Sequence, residues 1–210
     1  MSVTPRISVI ITSYERGRLL HRAVESVLAQ TYMNVEVIIV DDNSKDEETL
    51  ATLSKLSQLE HITVLVNHCN MGANFSRNRG IMAATGIFYT GLDDDDYFLP
   101  DRCQILFDSY KEEYSFICDN YKIDNGKKIK QRFLGSKVLG VNDLLYVNSA
   151  GNQVFTSIEK IKLCGLFDED LKRLQDQDMW LRLICYFGKA KRINRATYIM
   201  DTSHEELRIT

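Results

Sequence analysis

The chain has 210 residues, the size of one domain or one domain with an appendage, and its 44% hydrophobic and 26% charged residues match an ordinary folded protein. Disordered, collagen-like and low-complexity classes are excluded. Lys and Arg total 26 against 29 Asp and Glu, a net charge of −3, so no global positive field is present to hold nucleic acid.

Residues 7–13 form a short β-branched run that reads as a buried strand. A helical pattern follows, with Leu19, Leu20, Ala23, Val24, Val27 and Leu28 recurring at i, i+3, i+4 spacing. Residues 35–40 predict a second strand, 46–57 a helix and 61–66 a third strand. A helix is expected over 75–84, with Gly86 as its C-terminal cap, and residues 87–92 predict a fourth strand. Strands alternating with helices imply βαβ units and a mostly parallel sheet, which binds ligands at the carboxyl ends of its strands. Polar residues gather at those ends: Thr12 to Glu15, Asp41-Asp42, Asn67 to Gly72, and Asp93 to Asp96.

The second half is less regular. Helices are expected over 101–113, 141–147, 157–164 and 176–187, and paired strands over 115–134 with a turn at Asp124-Asn125-Gly126. No repeat or Pro-rich boundary divides the chain. Residues 1–100 and 101–210 read as a regular and a less regular half of one domain. No apolar run approaches the roughly 20 residues of a membrane span, and no signal peptide is visible. Cys69, Cys103, Cys118, Cys164 and Cys185 contain no C-x-x-C pair, so neither a disulfide framework nor a zinc site is indicated and a reducing cytoplasm fits.

Three segments could carry chemistry. The run Asp93-Asp94-Asp95-Asp96 concentrates negative charge after a buried strand, and a divalent cation would relieve it. If that segment is extended, Asp93 and Asp95 share one side and Asp94 and Asp96 the other. An acidic solvated loop is the competing reading. The stretch Asn70 to Gly80 sets a glycine turn before a helix carrying Arg77 and Arg79, whose forks match phosphate oxygens; a surface arginine pair is the alternative. Asp176 and Asp178 open a helix, where a carboxylate can serve as a cap or as a catalytic base.

Five segments in order resemble the motifs of inverting glycosyltransferases of family 2, which have a GT-A fold. They are I-S-V-I-I-T-S-Y-E-R, V-I-I-V-D-D-N-S-K-D, N-M-G-A-N-F-S-R-N-R-G, L-D-D-D-D-Y-F-L-P, and F-D-E-D-L followed by Q-D-Q-D-M-W-L-R. The likeness is greatest to bacterial exopolysaccharide and O-antigen transferases of the colanic-acid type, through Gly151 to Thr156 (G-N-Q-V-F-T) and a late His-x-Glu at His204. It implies an α/β GT-A fold: a Rossmann-like, mostly parallel central sheet flanked by helices, with a smaller mixed acceptor-side region, residues 1–100 being the nucleotide-binding half and 101–210 the acceptor-binding half of one domain.

The resemblance also implies roles. Thr12, Tyr14 and Glu15 would line the base and ribose, and Asp42 would recognise the base, favouring uracil. Arg77, Asp93 and Asp94 would lie by the nucleotide. Asp95 would hold Mn²⁺ or Mg²⁺ with help from His204, and Asp176 would be the base. Gln175 stands where the family has Glu, Ser13 where many members have Pro, and Glu15 where many have Asn. The implied partners are a UDP-sugar donor and a glycan or lipid-linked oligosaccharide acceptor. A sugar nucleotidyltransferase and a non-catalytic nucleotide-sugar binding module are the alternatives; the single glycine of Tyr14 to Arg18 supports the first poorly. Members of this type often continue further, so an additional C-terminal segment is expected. The basic clusters at 122–137 and 182–195 read as solvated faces or as contacts with anionic lipid, which would place the protein peripherally at the inner face of the cytoplasmic membrane.

Overall fold

Strands β1 (Ile7–Ser13), β2 (Val35–Asp41), β3 (Ile62–Val66) and β4 (Phe88–Asp93) pair in parallel in the order β3-β2-β1-β4 in the computed structural model, which describes residues 4–204. Helices α1 (Gly17–Leu28), α2 (Glu47–Leu56) and α3 (Ala73–Ala83) make the crossovers. The strands are apolar on both faces because both are covered. Ile7, Val9 and Ile11 pack with Leu20, Val24 and Val27 of α1, whereas Ile10 packs with Ile81 of α3 on the other face. Each such fully buried aliphatic side chain contributes roughly 1.5–3 kcal/mol. Asp46 caps α2 by accepting a hydrogen bond from the Thr49 amide at 2.8 Å.

The remaining elements are β5 (Tyr97–Phe98), α4 (Arg102–Ser109), β6 (Ile117–Asp124), β7 (Ile129–Gln131), β8 (Lys137–Leu139), α5 (Val141–Leu145), β9 (Phe155–Ser157), α6 (Ile158–Leu163), α7 (Gln175–Phe187) and β10 (Ala190–Asp201). They extend the sheet through β4-β9-β6-β10-β5, with β7 added to β6 and β8 to β10. β9 runs antiparallel to both β4 and β6, and β10 runs parallel to β6. The strands β1 to β4, β6 and β10 therefore point the same way, and the expected mostly parallel GT-A-type sheet is what the chain forms. The order reverses between β1 and β4, which opens a crevice at their carboxyl ends. Trp180 of α7 is fully buried against Phe116 and Phe167, which seats α7 on the sheet beside that crevice. Among the described residues no helix is long and apolar enough to cross a membrane.

Several expectations are corrected. Gly86 does not cap α3, which ends at Ala83 with Ala84 already extended. A Cβ on Gly86 would lie 2.5 Å from Ser8 Oγ, so glycine admits the close approach to β1, and its amide donates to Glu36 Oε1 at 2.9 Å. The helix expected over 101–113 stops at Ser109, with Tyr110 extended. The longest strand, β10, was not anticipated, nor were β5, β8 and β9. The late His-x-Glu ends at Glu206, outside the described residues.

Candidate active site

The four aspartates lie in a turn, closed by the Asp96 amide donating to the Asp93 carbonyl at 3.0 Å, rather than in an extended segment. The turn divides them differently from strand alternation. Asp94 and Asp95 share Arg16 Nη1, each at 3.1 Å. Burial pushes the Asp94 carboxyl up to about 7, against the opposing pull of Arg16. Asp96 is fully buried, accepting from the Tyr198 hydroxyl at 2.7 Å and the Asp201 amide at 2.9 Å. Its carboxylate locks the turn to β10. Asp93 faces the other way, toward Arg77 Nη2 at 3.3 Å and Gln153 Nε2 at 3.0 Å.

Arg77 projects from α3 between two carboxylates, with Nη1 3.7 Å from Asp176 Oδ1. These anions raise its pKa further despite burial. Asp176 sits in the first turn of α7, whose N-cap is Leu174 in the left-handed conformation (φ 60°) with no side-chain cap bond. Asp176 Oδ1 is buried with no hydrogen-bond partner among the described residues, although a fifth of the whole side chain stays accessible. Burial pushes its carboxyl up to about 6, with Arg77 opposing and Asp93 adding to the rise. The carboxylate is thus not spent as a cap. Asp178 pairs instead with Arg182 of the same helix at 2.7 Å.

The residues at the ends of β1 and β2 have different settings. Thr12 is half-buried and stands opposite Asp93 in the β1–β4 register; Tyr14 and Glu15 are exposed beyond it. Asp42 is buried and fully engaged. It accepts from the Asn67 side chain at 2.7 Å and from the Met71 and Gly72 amides at 2.8 Å each. Asp42 therefore holds the loop that leads into α3. Arg79 is directed away from Arg77, donating to Val66 O and Asn67 Oδ1 at 2.7 Å each.

His204 is brought to the acidic turn, with Nε2 3.4 Å from Asp95 Oδ2. Both its ring nitrogens are buried without hydrogen-bond partners among the described residues. A carboxylate and an imidazole with nitrogens to spare fit a divalent cation. No group of three or more potential protein ligands converges among the described residues.

Sequence reasoning missed Arg16, Asn152, Gln153 and Tyr198. Asn152 Nδ2 lies 3.4 Å from Asp93 Oδ2, so the G-N-Q-V-F-T segment, conspicuous only by likeness, reaches the site. The basic cluster at 182–195 is in part structural. Arg182 is bound to the Cys164 and Leu166 carbonyls, and buried Arg192 donates to Ser149 O at 2.8 Å.

The profile of glycosyl transferase family 2 matches residues 8–158, most of the chain, spanning β1 to the start of α6. The chain belongs to glycosyl transferase family 2. Among family 2 relatives, WcaA of Escherichia coli K12, named for colanic acid biosynthesis, is 37% identical over 217 aligned residues, which cover all of this chain and 77% of WcaA. WfgD of Escherichia coli, a UDP-Glc:alpha-D-GlcNAc-diphosphoundecaprenol beta-1,3-glucosyltransferase, is 28% identical over 179 residues, 85% of this chain and 69% of WfgD. The structure of S. aureus TarS 1–349 in complex with UDP-GlcNAc superimposes with a TM-score of 0.81 at 21% identity, over 97% of this chain and 60% of the TarS chain. That likeness establishes the fold. The chain thus spans about 60% of TarS 1–349, and in this family 2 glycosyltransferase the acidic turn lies in the crevice beside β1.

Proposed function

We propose that the protein is an inverting transferase that moves a sugar from a UDP-sugar to a hydroxyl of a lipid-linked saccharide in bacterial surface polysaccharide synthesis. The reading rests above all on Asp176, a carboxylate with one buried, unbonded oxygen, facing across Arg77 to Asp93. A general base needs an oxygen not already taken by a hydrogen bond and a pKa near the working pH. Names among the relatives point to a UDP-glucose donor and a diphosphoundecaprenol-linked acceptor.

In this reading Asp176 accepts the proton of the acceptor hydroxyl as its oxygen bonds to the anomeric carbon. The bond from that carbon to the diphosphate oxygen breaks from the opposite face, and the nucleoside diphosphate leaves. One displacement inverts the centre, so an α-linked donor gives a β-glycoside and no enzyme nucleophile is required. Arg77 and Arg16 supply positive charge near the departing diphosphate. Asp95 and His204 would hold Mn²⁺ or Mg²⁺, which when bound neutralises charge on the leaving group.

Calorimetric titration with UDP and GDP, with and without Mn²⁺, tests the donor half, repeated on Asp95→Ala. Metal-dependent UDP binding that is lost in the variant is expected. A GDP preference overturns the uridine assignment, and no binding of either nucleotide overturns the donor reading.

The membrane is the second proposed contact. The β6–β7 hairpin exposes Lys127, Lys128, Ile129 and Lys130, Leu134 is exposed just beyond β7, and Tyr146, which ends α5, is 88% exposed. Cations around exposed apolar side chains suit an anionic bilayer that carries a lipid-linked acceptor.

A further inference from the structure

Asp93 and Asp176 come from distant parts of the chain, yet a short turn touches the supports of both. The turn Asn148–Gln153 carries Gln153, which is buried and donates to Asp93 Oδ1 at 3.0 Å. Gly91 leaves room for that side chain in this position. A Cβ there would lie 1.9 Å from Gln153 Oε1. Two residues earlier the turn accepts the indole N–H of Trp180 on the Gly151 carbonyl at 3.1 Å. Trp180 lies on α7, one turn beyond Asp176.

The turn is stiff. Asn148 Oδ1 accepts from the Ala150 amide at 3.2 Å and the Gly151 amide at 3.1 Å, while Asn148 Nδ2 donates to the Gly151 carbonyl at 3.0 Å. Gly151 has φ +86°, a conformation that disfavours other residues, and a Cβ there would lie 3.2 Å from the Tyr121 ring. Arg77 closes the circuit on the open side, facing both Asp93 and Asp176.

We infer that the Asn148–Gln153 turn is a strut that sets the position of Asp93 relative to the helix bearing Asp176, with Gln153 and Trp180 as positioning residues. Neither is a catalytic residue. Gln153 orients Asp93, and Trp180 ties the turn to α7. A free Gln153 side chain would sample several rotamers, and the indole bond to Gly151 limits that freedom. The inference concerns the site as read under the proposed function, but the mechanical link does not depend on the substrate.

The test uses Trp180→Phe, which removes the indole N–H and keeps an aromatic ring, and Gln153→Ala. Hydrogen exchange needs no ligand. In Trp180→Phe, exchange is expected to rise severalfold over residues 148–154 and also over 91–98, while α1 is unchanged. A rise confined to α7 and the turn overturns the strut. Should Trp180→Phe fail to fold, Asn148→Ala removes the ties within the same turn and is judged by the same peptides.

Binding of UDP with Mn²⁺ gives the second readout. Gln153→Ala is expected to weaken it roughly tenfold, as for a lost bond to a charged group, and Trp180→Phe about threefold. The double variant should be no weaker than Gln153→Ala alone, because the two act in series. Multiplicative losses overturn the strut. Absence of UDP binding in the unaltered protein overturns the proposed donor instead, and exchange then decides the strut alone.

Discussion

The guanidinium of Arg77 stands 3.7 Å from an oxygen of Asp176 that no hydrogen-bond donor reaches among the described residues. At that separation the charges attract, while no hydrogen bond occupies the oxygen. Burial nevertheless wins, and the Asp176 carboxyl is pushed up to about 6. Arg77→Met removes the opposing charge. The acid limb of the transfer rate should then move to higher pH by about 1–3 units, read from kcat/KM against pH. A limb that stays in place would separate Asp176 from the rate-controlling proton.

Asp176→Asn should lower transfer by about 10²–10⁴, the span of general-base catalysis, with UDP affinity unchanged. It should also stabilise the fold at neutral pH. A carboxyl whose folded pKa is raised favours folding below its ordinary value, and that contribution fades as pH rises through about 6. Asparagine carries no charge to bury. The gain, on the order of 1 kcal/mol, should be largest near pH 8 and shrink toward pH 5 in urea titrations.

Asp42 and Asp95 should part company in stability. Asp42→Ala deprives the Asn67 side chain and the Met71 and Gly72 amides of their acceptor. A loss of about 2–3 kcal/mol is expected along with any loss of nucleotide affinity. Asp95→Ala removes one of several crowded carboxylates and should leave the melting temperature level or higher.

Arg102 and Asp119 form a fully desolvated ion pair at 2.6 Å, with the guanidinium also above the Phe98 ring. Asp119→Ala strands that cation and should cost about 3–5 kcal/mol. Replacing both by apolar residues, Arg102→Met with Asp119→Leu, should recover most of the loss in chemical denaturation.

For the proposed bilayer contact, Lys127, Lys128 and Lys130 changed together to Gln should reduce binding to anionic vesicles on the order of a hundredfold at low salt. Tyr146→Ser should weaken it at any salt. Sedimentation indifferent to lipid charge and to both variants would dismiss the contact.

The parallel part of the sheet was legible because β1, β2 and β4 are buried on both faces and end in Asp or Ser. Their apolar runs and polar ends are therefore abrupt in the sequence. β10 was not legible. Its register shifts between Ile193 and Tyr198 break the period of two, and buried Arg192 reads as a solvated cation. The acidic segment was legible as a cluster of carboxylates at the end of a buried strand. The sharing of Arg16 by Asp94 and Asp95 was not, because a turn replaces alternation with a geometry that composition does not encode. Asp42 was legible as a strand-end acid, but its three donors come from a loop about 25–30 residues later.

The place of β9 bears on how the protein is made. Residues 155–157 wedge between β4 and β6, which leave the ribosome well before them. Until that wedge arrives, β4 keeps a bare edge beside the parallel strands, a template for pairing with another nascent copy. The two halves of the domain are therefore expected to mature together. Fragments cut near residue 100 or residue 150 should aggregate rather than yield a working donor lobe.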